Sequence, residues 1–144
     1  MTRFMTLAFV TAALFLFTGP TVAADDTASA DHRVVAYYFH RTVRCPTCQK
    51  ISAYVEEAIQ DGFADELKDG RVALHMVDFQ DAKNAQYTKY YKITGPTLVV
   101  VEASGGKPVQ WKTLPKVWSL VHEKEKEPFF NYVQQETRGY LETP

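Results

Sequence analysis

The sequence predicts an α/β fold: a mixed central β-sheet with helices packed on both of its faces. "VVAYYF" at residues 34–39 is β-branched and aromatic without a polar break, as expected of a strand buried on both sides. An apolar stripe of helical period follows it, and then a second strand pattern, which together imply a strand–helix–strand unit. Further along, "TLVVVEA" and "PVQWKTL" flank "SGGK", two strands joined by a tight turn and therefore antiparallel.

Taken in order, residues 27–33 are small and polar with no apolar period, and read as a tether ahead of the first strand. Beyond that strand, Ile51, Tyr54, Val55, Ala58 and Ile59 fall at helical spacing and put one apolar stripe along a helix. The helix is expected to open near Cys45, because Pro46 suits a first turn in which its missing N–H costs nothing. Asp69 and Gly70 close the helical region, and "RVALHMVDF" alternates as a strand with Val72, Leu74 and Met76 on one side. A second helical stretch runs over residues 82–91 and ends at "KITGP" before the hairpin. A short helical piece is expected at 117–121, and a last helix opens at Pro128 with Phe129, Phe130, Val133 and Tyr140 as its buried face. "HEKEKE" between them is a solvated charge run.

The chain of 144 residues is long enough for one domain of ordinary size. Its start has a different character. Arg3 and the amino terminus supply positive charge, residues 4–17 are almost wholly apolar, and Val22, Ala23 and Ala24 precede the first acids at Asp25 and Asp26. That is the layout of a cleaved secretory signal peptide over residues 1–24, followed by a tether at 25–33 and one domain at 34–144. The expected location is therefore periplasmic or secreted, with a mature form that does not span a membrane. The whole chain carries a net charge of −1 with histidine neutral, and nothing in that balance calls for nucleic acid or anionic lipid. Export also removes the cytosolic pool that keeps thiols reduced, so a cysteine pair in this chain needs an explanation.

That pair is Cys45 and Cys48 in "HRTVRCPTCQK", the two cysteines of the sequence. Dithiol exchange needs an exposed sulfur held as thiolate and a second sulfur close enough to expel the mixed partner. CxxC at a helix start supplies both: Cys45 would meet the unpaired N–H groups and the positive end of the helix dipole, and Cys48, one turn in, would be shielded. Arg44, Arg41 and His40 add cationic character on the strand side, pushing toward the thiolate. An inert bridge and half of a metal site remain alternatives. The bridge would close too short a loop to stabilise much, and a zinc site would need ligands that no second CxxC or spaced histidine pair provides. His32, His75 and His122 read as tether, strand and surface residues, and His40 equally as a group capping the strand end.

"VVAYYF", "CPTC", the helix after it, "MVD" and "GPTLVV", in this order and at these separations, resemble the thioredoxin-like superfamily over most of residues 34–141. The resemblance implies Cys45 as attacking thiol, Cys48 as resolving thiol, a redox-active Cys45–Cys48 disulfide as the sole redox group, and no other cofactor. It also implies that Pro96 is a cis-proline facing the pair. Gly95 and Thr97 beside it, and Arg44 and His40 close in sequence to Cys45, are the expected substrate- or partner-binding residues, with Gly95 opening the pocket over Cys45 where the family often has a bulkier residue. Arg44 departs from the tryptophan usual before the first cysteine. The stretch Tyr37, Tyr38, Phe39 lacks the usual buried acid beneath the resolving cysteine, and an apolar residue in "ALHM" stands where its companion lysine would be.

More narrowly, "YYFHRTVRCPTCQKISAYVEEA", "WKTLPKVWSLV" and "FFNYV" are similar to exported thioredoxin-like subunits of nitrophenyl-compound, including nitroarsenical, reduction systems. That similarity implies an electron-transfer subunit served by another thiol–disulfide protein or a membrane electron donor and acting with a partner reductase. The alternative is a binding module whose reduced dithiol holds a trivalent organoarsenical or soft metalloid without turnover.

Overall fold

The computed structural model describes residues 32–143. The expected signal peptide and all but the last two tether residues lie outside the described residues. Strand β1 (His32–His40) leads into helix α1 (Pro46–Gly62) and the short α2 (Ala64–Asp69), then β2 (Val72–Asp78). A 3-10 turn (Ala82–Asn84) and α3 (Ala85–Tyr90) connect to the hairpin β3 (Thr97–Ser104) and β4 (Lys107–Thr113), and α4 (Val117–Leu120) and α5 (Glu127–Leu141) complete the chain.

The four strands lie in the order β2-β1-β3-β4. β1 and β2 are parallel, pairing Ala36 with Leu74, while β3 runs antiparallel to both β1 and β4. Alternation along the central strand β1 sends Val34, Ala36 and Tyr38 to one face and Val35 and Phe39 to the other, and all five are buried. The first face packs on Ile51, Val55 and Ile59 of α1 and on Phe129 and Val133 of α5. The second packs on Val77, Val99, Val101 and Tyr91 at the end of α3. Helices thus cover both faces of a mixed sheet, the α/β architecture the sequence predicts. Burying a side chain such as Ile51 contributes about 1.5–3 kcal/mol, which is what ties the helix carrying the cysteines to the sheet.

The hairpin turns on Gly105 (φ 59°) and Gly106 (φ 72°), two successive left-handed residues that suit the twist of the flanking strands. α1 and α5 approach closely at Gly62, where a Cβ would stand 2.7 Å from Gln134 Cγ.

Two boundaries differ from the expectation. β1 begins at His32, two residues inside the expected tether, because His32 and Arg33 pair with Ser104 and Ala103 on the long strand β3. His32 Nε2 lies 3.2 Å from Glu102 Oε1, so this histidine belongs to the sheet. The single helical region up to Asp69 is divided at Phe63, whose fully buried ring and extended φ of −142° break α1 from α2. Among the described residues no helix is long and apolar enough to cross a membrane.

Candidate active site

The dithiol sits where β1 hands over to α1. Cys45 has extended backbone (φ −70°, ψ 160°) and is the N-cap of α1, with Pro46 in the first helical position. Its sulfur takes the place of a capping oxygen: the Cys48 N–H donates to Cys45 Sγ at 3.2 Å. Cys45 is exposed, Cys48 is buried, both are free, and their sulfurs are 2.6 Å apart.

The two thiols are pushed in opposite directions. Hydrogen bonding from the Cys48 thiol, then from the Cys48 N–H, holds the Cys45 thiol below the ordinary value. Burial, followed by the thiol interaction with Cys45, pushes Cys48 up. The exposed sulfur is therefore the one inclined to ionise, and the sheltered one keeps its proton, as exchange by an attacking and a resolving thiol requires.

The expected cationic contribution is not what lowers Cys45. Arg44 turns its guanidinium inward, donating from Nη1 to Ser52 Oγ at 3.1 Å and from Nη2 to His40 Nε2 at 2.7 Å. Arg41 places its guanidinium 5.9 Å from the centre of the Phe79 ring. His40 is buried at the end of β1, with Nδ1 2.9 Å from the Arg41 carbonyl. Arg44 and His40 are engaged with each other and the Arg41 guanidinium lies over Phe79, and hydrogen bonds from Cys48 are what hold the Cys45 thiol down.

Beneath the pair stands Tyr38. Its fully buried ring occupies the stretch where the sequence lacks an acid, and its hydroxyl donates to the Cys48 carbonyl at 3.3 Å. Burial first, then the nearness of Cys48 and Cys45, pushes this phenol far above its ordinary value, so it serves as a neutral donor.

The segment around Pro96 enters β3 at the same end of the sheet, since Thr97 pairs with Phe39. Among the described residues no peptide bond is cis, so Gly95–Pro96 is trans and the cis-proline expectation is corrected. The trans form is the intrinsically preferred isomer, by about 0.5–1 kcal/mol for bonds to proline. The Pro96 carbonyl accepts from Trp118 Nε1 at 3.2 Å, and Thr97 Oγ1 donates to the Gly95 carbonyl at 3.0 Å. A Cβ at Gly95 would meet nothing within 4 Å, so the backbone there is open. Beside it is a cavity of about 250 Å³ lined by Lys92, Thr94, Thr97, Thr113, Pro115 and Trp118 among others, with neither cysteine in its wall. Tyr38 fills the position the sequence marks by its missing acid, whereas Ser52 and Trp118 join this end of the molecule without a sequence signal that marks them, because their contacts to Arg44 and Pro96 form only in the fold. Among the described residues no group of three or more metal-ligating side chains is assembled.

No family model and no curated protein sequence matches the chain. Among solved structures it is similar to a mutant thioredoxin from Halobacterium salinarum, at 21% identity over 83% of this chain and 84% of that one, with a TM-score of 0.45. It is also similar to thioredoxin from Fasciola hepatica, at 24% identity over 58% of this chain and 70% of that one, TM-score 0.39. Human ERp44 in a zinc-bound form matches at 19% identity over 81% of this chain and 30% of the longer one, TM-score 0.48. Similarities this distant carry no activity over to the chain.

Proposed function

We propose that the chain is a thiol–disulfide oxidoreductase that cycles Cys45 and Cys48 between dithiol and disulfide. The observation that carries this reading is the pairing of an exposed, N–H-capped sulfur with a buried one 2.6 Å away, their thiols shifted in opposite directions. In the reducing direction, Cys45 thiolate attacks a partner R–S–S–R′, the S–S bond breaks and R′–S⁻ leaves. Cys48 then gives up its proton and attacks Cys45 Sγ, forming the internal disulfide and expelling R–S⁻. Two electrons and, after the expelled thiolates take up protons, two protons have moved to the partner. An external dithiol restores the chain, and the same steps reversed oxidise a partner dithiol.

The reading extends to an exported electron-transfer subunit in the periplasm or outside the cell, supported by the leader pattern of residues 1–24. Its electron source would be another thiol–disulfide protein or a membrane donor. A dithiol does not by itself reduce a nitro group, so service to nitrophenyl or nitroarsenical reduction would pass through a partner reductase. The close sulfurs also suit chelation of a trivalent organoarsenical, the alternative role without turnover.

Single substitutions test the assignment. Turnover of a small disulfide with an external reductant falls to background in Cys45→Ser, and Cys48→Ser accumulates a mixed disulfide on Cys45, read by intact-protein mass. Turnover that survives Cys45→Ser, or arsenical binding by a wild type that never turns over disulfides, would remove the oxidoreductase reading.

A further inference from the structure

The connection between β1 and α1 is held unevenly. Its front half is pinned to the far end of β2: the Thr42 N–H donates to Gln80 Oε1 at 3.1 Å and the Thr42 hydroxyl to Asp78 Oδ2 at 2.7 Å. Val43 follows with 84% of its surface exposed and anchors nothing. The back half depends on Arg44, immediately before the reactive sulfur.

Arg44 is fastened to both flanking elements at once. Nη2 reaches back to His40, the last residue of β1, at 2.7 Å, while Nη1 reaches forward to Ser52, in the second turn of α1, at 3.1 Å. Both partners are almost fully enclosed, at 7% and 8% exposure. The main chain of Arg44 is held as well, since Gln49 Nε2 donates to its carbonyl at 3.2 Å. Guanidinium offers only donors, so His40 Nε2 must accept and its Nδ1 must carry the proton toward the Arg41 carbonyl, 2.9 Å away. Among the described residues no carboxylate lies within ion-pairing distance of Arg44. The guanidinium is thus used for its two-pronged shape against neutral acceptors.

We propose that Arg44 is a positioning residue, a clamp from the end of β1 to the second turn of α1 that holds Cys45 in its capping geometry. The clamp rests on the reading of Cys45 as the attacking sulfur. It acts through the Cys48 N–H to Cys45 Sγ hydrogen bond, which persists only while the residue before the helix stays fixed. Arg44 therefore tunes the thiol by where it puts the sulfur, and Ser52, further along α1, shares in that control.

The test is the pH dependence of Cys45 alkylation by iodoacetamide in the full chain, read by peptide mass spectrometry so that Cys45 and Cys48 are counted separately. Arg44→Ala moves the half-point upward toward that of an ordinary thiol and slows alkylation at neutral pH by about threefold to tenfold, the range expected when a helix cap is lost. Ser52→Ala shifts it the same way by less, and the double variant shifts it no further than Arg44→Ala alone, because the two residues form one contact. Arg44→Lys recovers only part of the shift, since a single ammonium does not span both acceptors. Should Arg44→Ala not fold, Ser52→Ala and Arg44→Lys carry the same comparison. An unchanged pH profile in folded variants, even with lowered resistance to urea, overturns the clamp, and so do additive shifts in the double variant. A wild-type Cys45 with the profile of an ordinary thiol overturns the exchange reading and the clamp with it, whereas a depressed wild-type profile that no Arg44 or Ser52 variant moves overturns the clamp alone.

Discussion

The two ends of the sheet both gather polar groups against the core, and they use them in opposite ways. At the end where β1 begins, Glu102 is buried at 6% exposure and its carboxylate is met by His32 Nε2 at 3.2 Å and by the Gln110 side-chain amide. Every partner there is a side chain of the sheet itself, and the group closes on itself. At the other end, the Cys45 sulfur has a backbone N–H on one side, a second sulfur on another, and solvent on the third. A buried side chain met by a partner on each of its oxygens stabilises one arrangement. An exposed nucleophile whose ionised form is favoured by a helix start is left with something to react with.

That contrast orders the expected effects of substitution. Ile51 is fully buried one turn beyond Cys48 and joins α1 to the sheet. Ile51→Ala is expected to cost about 2–5 kcal/mol in urea unfolding by opening a cavity. The pH profile of Cys45 alkylation in the folded protein stays in place, because neither the cap hydrogen bond nor the Arg44 contacts to His40 and Ser52 involve the Ile51 side chain; a profile that moved with the core would show that the reactive end has no independence from it. Glu102→Ala at the far end is expected to cost less, about 1–3 kcal/mol, by leaving His32 and Gln110 without their acceptor. Disulfide exchange and alkylation rates are expected to match wild type. A change in thiol reactivity from this distant site would break the division between the two ends.

Much of this was legible in the chain. The order of elements follows from hydrophobic period, and the dithiol at a helix start follows from two cysteines flanking a proline suited to a first turn. What was not legible depends on contacts that exist only after folding. His32 and Arg33 look like tether because they are polar, and they become strand because β3 is long enough to pair with them. The break at Phe63 has its cause in the burial of that ring, and the isomer of Gly95–Pro96 in an energy difference too small for local sequence to fix. The direction of Arg44 is the most instructive case. Beside a reactive cysteine an arginine reads as a charge for the sulfur or for a partner, yet His40 and Ser52 converge on it once the loop closes and take the guanidinium away.

The central claim, reversible cycling of one internal pair, is tested most directly by equilibrating the protein in graded glutathione buffers, quenching with a thiol-trapping reagent and counting free thiols. A single reversible two-electron transition is predicted, at a potential less reducing than the value of about −270 mV typical of thioredoxin, because stabilising the Cys45 thiolate favours the dithiol form. A pair that does not oxidise and re-reduce reversibly, or one whose potential lies below about −300 mV as in structural disulfides, would contradict the account.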